Sequence, residues 1–306
     1  MSTSTTQKRP SPTRTARGGA AQRFLDAARL AGLRAAFGSL DLVAPDVAAR
    51  WALRLWCTLP STRGRHRDDR TSRGETSTVP LSGGRSVMVE SWGQGDPVYL
   101  LHGWGGWRGQ LGAFVEPLVA AGNRVVALDA PSHGESGPGA LGAGRATAVE
   151  FVEALTVVAA EHGEPSAVVA HSLGCTAASL AVVDGLPAGR LALVAPEPEV
   201  MARTDAMAAL LGYTARTKRR FDALLEDLAG RPLDDFDLTG MRDLPPTLVV
   251  HDRADKEVPY ADGVRLADAW EEAELFTTDG LGHQRILRDA GVIDHVVEFV
   301  SGRGTA

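Results

Sequence analysis

The stretch AVVAHSLG at residues 167–174 decides how this chain folds. Its first four residues are apolar and favour a buried strand, and a helical pattern begins at Leu173. The small residues Ala170 and Gly174 allow a sharp turn around Ser172, where larger side chains would collide. Such a turn lifts the serine hydroxyl off the sheet and places the next amide at a helix N-terminus, where an oxyanion is favoured. The alternative interpretation is that Ser172 only caps the helix.

Short apolar runs alternate with helical segments from about residue 76 onwards. Continuous Val- and Leu-rich runs separated by helices predict a mostly parallel sheet that is buried on both faces. The runs are residues 87–92, 98–101, 125–128, 167–170, 191–195, 247–250 and 274–277, and the main helical stretches are 146–162, 173–183, 261–270 and 290–300. Residues 197–240 contain helical pieces but no strand run, which indicates an insertion above the sheet.

Polar residues follow three other strand runs, at the edge of an open sheet where ligands bind. The loop HGWGGW at residues 102–107 suits an oxyanion hole, because its glycines expose backbone amides. It lacks the G-x-G-x-x-G and Walker A patterns, so a nucleotide-binding loop is disfavoured. His283, after the last run, supplies the base that a serine nucleophile needs. Asp252 and Asp255, after the preceding run, are candidates for the carboxylate that orients this base.

From about residue 76 to 302 the chain resembles the α/β-hydrolase superfamily. The resemblance rests on His102-Gly103-Trp104, Asp129 to Ser136 with His133-Gly134 between them, Ala170-His171-Ser172-Leu173-Gly174, Asp255 to Pro259, and Gly282-His283. It implies a mostly parallel eight-stranded sheet flanked by helices, with a helical cap or lid at about residues 197–240. It also implies a serine hydrolase with the triad Ser172, Asp255 and His283.

The resemblance assigns further roles to residues around this triad. It implies that the amides of Trp104 and Leu173 form the oxyanion hole. It favours Asp255 as the acid, with Asp252 stabilising its loop, and Glu197 is the reserve candidate because some members place the acid after the sixth strand. The candidate substrate-binding residues are His102, Gly103, Trp107 and His171, of which His102 is also expected to support the loop.

Composition excludes several other classes of protein. The formal net charge of −6 over 306 residues disfavours general nucleic-acid binding. The chain has only two cysteines, Cys57 and Cys175, which excludes a disulfide scaffold and a Cys-rich zinc site. No apolar run reaches the roughly 18 residues that span a bilayer. We therefore expect a cytoplasmic protein without metal, cofactor or stable membrane insertion.

The first 75 residues have no counterpart in the minimal fold. Residues 1–20 are basic and rich in Ser, Thr and Pro, which predicts a disordered tail. Residues 21–59 show the apolar spacing of two helices, and residues 61–73 read as a linker or exposed loop. The helices are expected to pack onto the main domain, at residues 76–306, or to mediate homodimerisation.

The expected reaction is acyl transfer from a small-molecule substrate to water. The substrate is expected to be an ester, a thioester or a related acyl compound with a small to medium, mostly apolar acyl group. Lactone and C–C bond hydrolysis stay open, because the fold does not choose among these substrates. The competing hypothesis is a non-catalytic ligand-binding or interaction protein on the same fold.

Overall fold

The computed structural model describes residues 16–60 and 67–302. Most of the predicted disordered tail therefore lies outside the described residues, as does the first half of the predicted linker. The first helix begins at Ala16, inside the segment for which a tail is predicted.

A single eight-stranded sheet has the order β1-β2-β4-β3-β5-β6-β7-β8. The strands are β1 Glu75–Pro80, β2 Ser86–Trp92, β3 Pro97–Leu101, β4 Arg124–Leu128, β5 Ala167–His171, β6 Leu191–Val194, β7 Thr247–Asp252 and β8 Ala273–Thr278. All neighbours from β4 to β8 pair in parallel, and β2 runs antiparallel to both β1 and β4. The predicted mostly parallel eight-stranded sheet is confirmed.

Strand β1 is the one strand without an apolar run in the sequence. It lies at the edge of the sheet and pairs only with β2, and Val79 is its one buried residue. An antiparallel edge strand can expose one face to water, so its sequence stays polar and gives no run of Val or Leu.

Helices cover both faces of the sheet. They are α1 Ala16–Val43, α2 Pro45–Trp56, α3 Val115–Ala120, α4 Ala148–His162, α5 Leu173–Val183, α6 Val200–Leu211, α7 Ala215–Ala229, α8 Tyr260–Ala269, α9 Gly282–Arg285 and α10 Ala290–Val300, with 3₁₀ turns at Ser82–Gly84, Arg108–Phe114, Leu233–Phe236, Leu238–Gly240 and Ile286–Arg288. Tyr99 and Leu101 face the core under α4, α5 and α8, whereas Val98 and Leu100 face the core under α3 and α10. This alternation follows from the two-residue period of a strand.

The N-terminal helices pack on the insertion between β6 and β7, which consists of α6 and α7. Buried residues of α1 and α2 share a hydrophobic cluster with both insertion helices; among them are Phe37, Ala48, Ala52, Leu211, Phe221 and Leu225. The Asp41 carboxylate also accepts hydrogen bonds from the Thr214 hydroxyl and the Thr217 amide, at 2.9 and 3.3 Å. Packing of these helices within the chain is therefore observed, and homodimerisation stays a prediction.

In the described part of the connector, residues 67–73, five of the seven residues are exposed, as the sequence predicts, whereas Asp69 and Arg70 are more buried. The Arg70 side chain is only 5% exposed and pairs with Glu90 and Asp68. The Trp107 indole donates a hydrogen bond to the Arg67 carbonyl at 2.9 Å. The ion pair with Glu90 fixes Arg70 on the main domain, while Arg67, Asp68 and Arg73 stay exposed.

Candidate active site

Ser172 stands at a sharp turn between β5 and α5. Its φ of 53° and ψ of −124° are strained for a residue with a Cβ, and such strain concentrates at functional sites. Neighbouring glycines allow the close packing around it: a Cβ on Gly103 would lie 2.8 Å from the Ser172 Cβ. A Cβ on Gly174 would lie 2.6 Å from the His102 carbonyl oxygen. The turn is therefore pressed against the loop at residues 102–107.

His283 lies at the start of the short helix α9 and contacts Asp255. The two side chains meet at 2.7 Å between His283 Nδ1 and Asp255 Oδ2. The other Asp255 oxygen accepts the amides of Glu257 and Val258, at 2.8 and 3.0 Å. Burial works against the charged carboxylate, but the hydrogen bonds from His283 and these amides hold the pKa of Asp255 below its usual value. An ionised Asp255 fixes the Nδ1–H tautomer of the histidine, which leaves Nε2 to accept a proton.

Asp252 holds the loop that carries the histidine. Its carboxylate accepts hydrogen bonds from the amides of Ala254, Leu281 and Gly282 at 2.8–3.0 Å and from the Thr278 hydroxyl at 2.7 Å. Burial opposes ionisation, yet these donors lower the pKa of Asp252. Its bonds thus go to the loop, in agreement with the loop-stabilising role that the resemblance implies.

Glu197, the reserve candidate for the acid, has another partner. Its carboxylate forms an ion pair with Arg203, and its carbonyl oxygen accepts the Thr176 hydroxyl at 3.1 Å. It lines the same cavity as His283, but the carboxylate in contact with His283 Nδ1 is that of Asp255.

Two buried histidines support the loop at residues 102–107. His102 Nε2 accepts the Ala130 amide at 3.0 Å, and His133 Nε2 accepts the Gly105 amide at 3.1 Å. An imidazole nitrogen that accepts an amide proton is unprotonated, so both rings are neutral with the proton on Nδ1. They hold the backbone next to Trp104 in place, beside the N-terminus of α5 where Leu173 lies.

Two of the four candidate substrate-binding residues line the cavity in front of Ser172, and the other two do not. Gly103 and His171 line the cavity, as do Trp104, Leu173, Ser172 and His283. His102 is fully buried, and its ring nitrogens are used by the loop. The Trp107 ring lies under the guanidinium groups of Arg70 and Arg108, at 4.7 and 5.6 Å. For His102 and Trp107 the substrate-contact prediction is therefore corrected, because neither side chain is among those that line the cavity.

His171 supports the loop that carries His283 from the side of strand β5. Its Nε2 donates to the His283 carbonyl oxygen at 3.0 Å, and the two rings lie 4.6 Å apart. Burial lowers the pKa of His171 to about 3, and the neighbouring His283 adds to this shift. His171 is thus neutral at physiological pH, and it positions the His283 backbone. The alternation of the strand had suggested only a core or pocket residue.

The neutral His171 predicts a pH dependence of stability. In the unfolded chain it has an ordinary pKa of about 6.5, so the unfolded state binds one more proton between pH 6.5 and 3. Stability is therefore fully present above pH 6.5 and falls as the pH drops, by at most about 1.4 kcal/mol per pH unit from this residue. Urea unfolding of wild type and His171→Gln at pH 4.5, 5.5 and 7.5 measures the slope, which should be shallower in the variant. If the free energy of unfolding changes equally with pH in both proteins, His171 is not the neutral group that the lowered pKa implies.

A cavity of about 820 Å³ lies in front of Ser172, bounded by strand-end loops, the insertion and the N-terminal extension. Its walls are mainly apolar, with Trp104, Val200, Met207, Leu225, Leu228 and Phe236 among the residues that line it. Leu55, Trp56, Cys57 and Pro60 of the N-terminal extension line it as well, and the sequence carried no signal for them. A mostly apolar pocket of this size fits a small-molecule site.

Two further features bear on cofactors and membranes. Among the described residues, no cluster of three or more His, Cys, Asp or Glu side chains is arranged to hold a metal ion. In the same part of the chain, no helix combines the length and apolar character needed to cross a bilayer.

Cys175 is buried on α5, and burial raises the pKa of its thiol well above the usual value.

Ser172, Asp255 and His283 follow three different strands of the sheet in a characteristic order. The serine turn follows β5, the carboxylate follows β7 and the histidine follows β8, which is the order of the α/β-hydrolase elbow fold. The sequence model of the alpha/beta hydrolase family matches residues 98–295, well over half of the chain. The chain belongs to the alpha/beta hydrolase family. Among curated proteins, sequence comparison finds no match.

Solved structures of this family share the fold. An esterase from Exiguobacterium antarcticum has a TM-score of 0.58 and 16% identity, over 74% of this chain and 99% of its own. A meta-cleavage product hydrolase from Pseudomonas fluorescens has a TM-score of 0.56 and 18% identity, over 76% of this chain and 99% of its own. A thioesterase domain from the curacin biosynthetic pathway has a TM-score of 0.55 and 17% identity, over 75% of this chain and 99% of its own. At these identities the likeness shows the fold alone, and the uncovered quarter of this chain has no equivalent in them.

Proposed function

We propose that this alpha/beta hydrolase is a serine hydrolase that cleaves a carboxylic ester or thioester through an acyl-enzyme. The observation that carries the proposal is the 2.7 Å contact between His283 Nδ1 and Asp255 Oδ2. It orients His283 at a cavity that is also lined by Ser172, on its strained turn. A base fixed by a carboxylate, at a cavity that it shares with a serine, is the set of groups that activates a serine nucleophile.

The reaction then follows from the position of each group. His283 Nε2 takes the proton of Ser172 Oγ while that oxygen attacks the carbonyl carbon, and Asp255 stabilises the imidazolium. The negative charge on the carbonyl oxygen is stabilised by the amides of Leu173 and Trp104. When the tetrahedral intermediate collapses, His283 protonates the leaving oxygen or sulfur. A water deprotonated by the same His283 then releases the acid and restores Ser172.

The lining of the cavity supports a small to medium, mostly apolar acyl group. Among its charged lining residues, Arg203 pairs with Glu197 and donates to the backbone carbonyl of Glu257 at 2.9 Å. The charges of Arg203 and Glu197 therefore compensate each other, and most of the remaining wall is apolar. Solved structures of the same fold include enzymes named esterase, thioesterase and meta-cleavage product hydrolase, which is consistent with acyl transfer.

A fluorophosphonate probe tests this proposal directly. The folded full-length protein should form one covalent adduct at Ser172, located by peptide mass spectrometry, because only an activated serine attacks this phosphorus. Folded Ser172→Ala and heat-denatured wild type are the controls and should stay unlabelled. A well-folded wild type that takes up no probe would favour the non-catalytic binding protein instead.

A further inference from the structure

The end of helix α2 and the residues after it form one wall of the cavity. Leu55, Trp56, Cys57 and Pro60 line it, although they precede the whole sheet in sequence. They also precede the segment at residues 98–295 that matches the family. This wall therefore comes from outside the segment that matches the family model and from before the first strand of the sheet.

The wall is held firmly on both sides. The Trp56 ring meets the Phe221 ring of α7 edge-on, with 5.8 Å between centroids. On the sheet side, the Ala146 amide donates to the Cys57 carbonyl at 3.0 Å, and the Leu59 amide donates to the Gly144 carbonyl at 2.9 Å. Hydrogen bonds and packing thus fix the segment between the insertion and the loop before α4.

Pro60 extends the wall to the oxyanion-hole loop. The backbone of Gly105 has a φ of +69°, and a Cβ at this position would lie 2.6 Å from Pro60 Cγ. The extension therefore packs against the loop that carries Trp104, next to the proposed nucleophile. The wall reaches from α7 to the site of acyl transfer.

The chemistry of the wall selects the part of the substrate that lies along it. Leu55 and Trp56 offer a mainly apolar surface, in which the indole N–H of Trp56 is the one polar group, and the lining residues of the insertion include Leu225 and Leu228. The charged residues that line the cavity, Glu197, Arg203, Lys256 and Glu257, come from other parts of the chain. Burial of each methylene along such a wall is worth about 0.8 kcal/mol, or about fourfold in affinity.

We infer that the N-terminal extension is the specificity wall of this enzyme, and that the substrate carries an apolar acyl chain of medium length whose far end packs on Leu55 and Trp56. This inference rests on the proposed serine hydrolase function. It makes Trp56 the residue that limits chain length, since its ring occupies the space that a longer chain needs.

The experiment measures kcat/KM for p-nitrophenyl esters with acyl chains of graded length. For Trp56→Ala, the longest chain that is still accepted should grow by about two methylenes or more, and the long-to-short ratio of kcat/KM should rise at least about tenfold. Leu55→Trp should shift the preference the other way. Trp51→Ala is the matched control: Trp51 lies on the same helix and stacks on Phe37 at 4.5 Å, outside the residues that line the cavity.

Fluorophosphonate labelling separates failure of this inference from failure of the proposed function. If Trp56→Ala is labelled at Ser172 but keeps the wild-type chain-length profile, the specificity wall is overturned and the serine hydrolase stands. If wild type takes up no probe, both fall. If Trp56→Ala does not fold, the chain-length profile of Leu55→Trp decides. An unchanged optimal acyl-chain length overturns the inference, and a shorter optimal length supports it.

Discussion

Replacement of Ser172 by alanine is expected to lower kcat by about 10⁶-fold, because no acyl-enzyme forms without its oxygen. His283→Ala should cost about as much, and the double variant little more, since the two residues act as one unit. Single-turnover kinetics with the best p-nitrophenyl ester measure the residual rate. The rate that remains should reflect substrate binding and the amides of the oxyanion hole.

Ser179→Ala is the matched control for this experiment. Ser179 is buried on α5, the helix that follows the nucleophile, and its hydroxyl makes no hydrogen bond within the described residues. Removal of this oxygen should leave both stability and turnover close to wild type. If Ser172→Ala keeps more than about one hundredth of the wild-type kcat, another residue is the nucleophile.

Asp255→Asn is expected to lower kcat by about 10⁴-fold while the protein stays folded. An asparagine carbonyl can still accept the amides of Glu257 and Val258, so the loop is kept. Its amide group, however, donates toward His283 Nδ1 and favours the wrong tautomer, and the negative charge that stabilises the imidazolium is lost. The measurement is kcat across the pH range, together with an unfolding curve that checks that the variant is folded.

Asp252→Asn is the informative comparison, because it changes a neighbouring aspartate of the same loop in the same way. Here an amide group would meet the donors on Leu281, Gly282 or Thr278, and a buried bond is lost. We expect a loss of about 1–3 kcal/mol in the free energy of unfolding. The accompanying loss of activity should be only about 10- to 100-fold, through displacement of the histidine loop. The reverse order of the two kinetic effects would show that Asp252 is the acid.

The residues that we propose to perform the chemistry carried local signals in the sequence. Ser172 stands between a run of small apolar residues and a helix, and His283 and Asp255 each follow a strand run. A parallel sheet brings the carboxyl ends of its strands to one edge, so these separate signals predict one site. The residues that hold the histidine loop in place had no such signal in the sequence. His171 and Asp252 act through backbone atoms of the 281–283 loop, and backbone partners leave no mark on residue type.

Trp107 shows the limit of the same reasoning within a single loop. A tryptophan in a glycine-rich loop after a strand is equally compatible with a pocket wall and with packing away from the pocket. Its position is decided by the segment before β1, where the Arg70 guanidinium lies 4.7 Å from the ring centroid and the Arg67 carbonyl accepts the indole N–H. The choice depends on tertiary contacts that no local pattern encodes.

By itself, the sequence determined the alternation of buried strands and helices, the turn at Ser172 and the order of the serine, acid and histidine, because these depend on periodicity and on backbone sterics over a few residues. Only the tertiary structure decided where the N-terminal helices lie. Their apolar spacing predicts helices with a face to bury, but hydrophobic burial has no direction and does not choose a partner. The contacts of Phe37 and Trp56 with α7 and its flanking residues join positions far apart in the chain, and they turn the extension into a wall of the cavity.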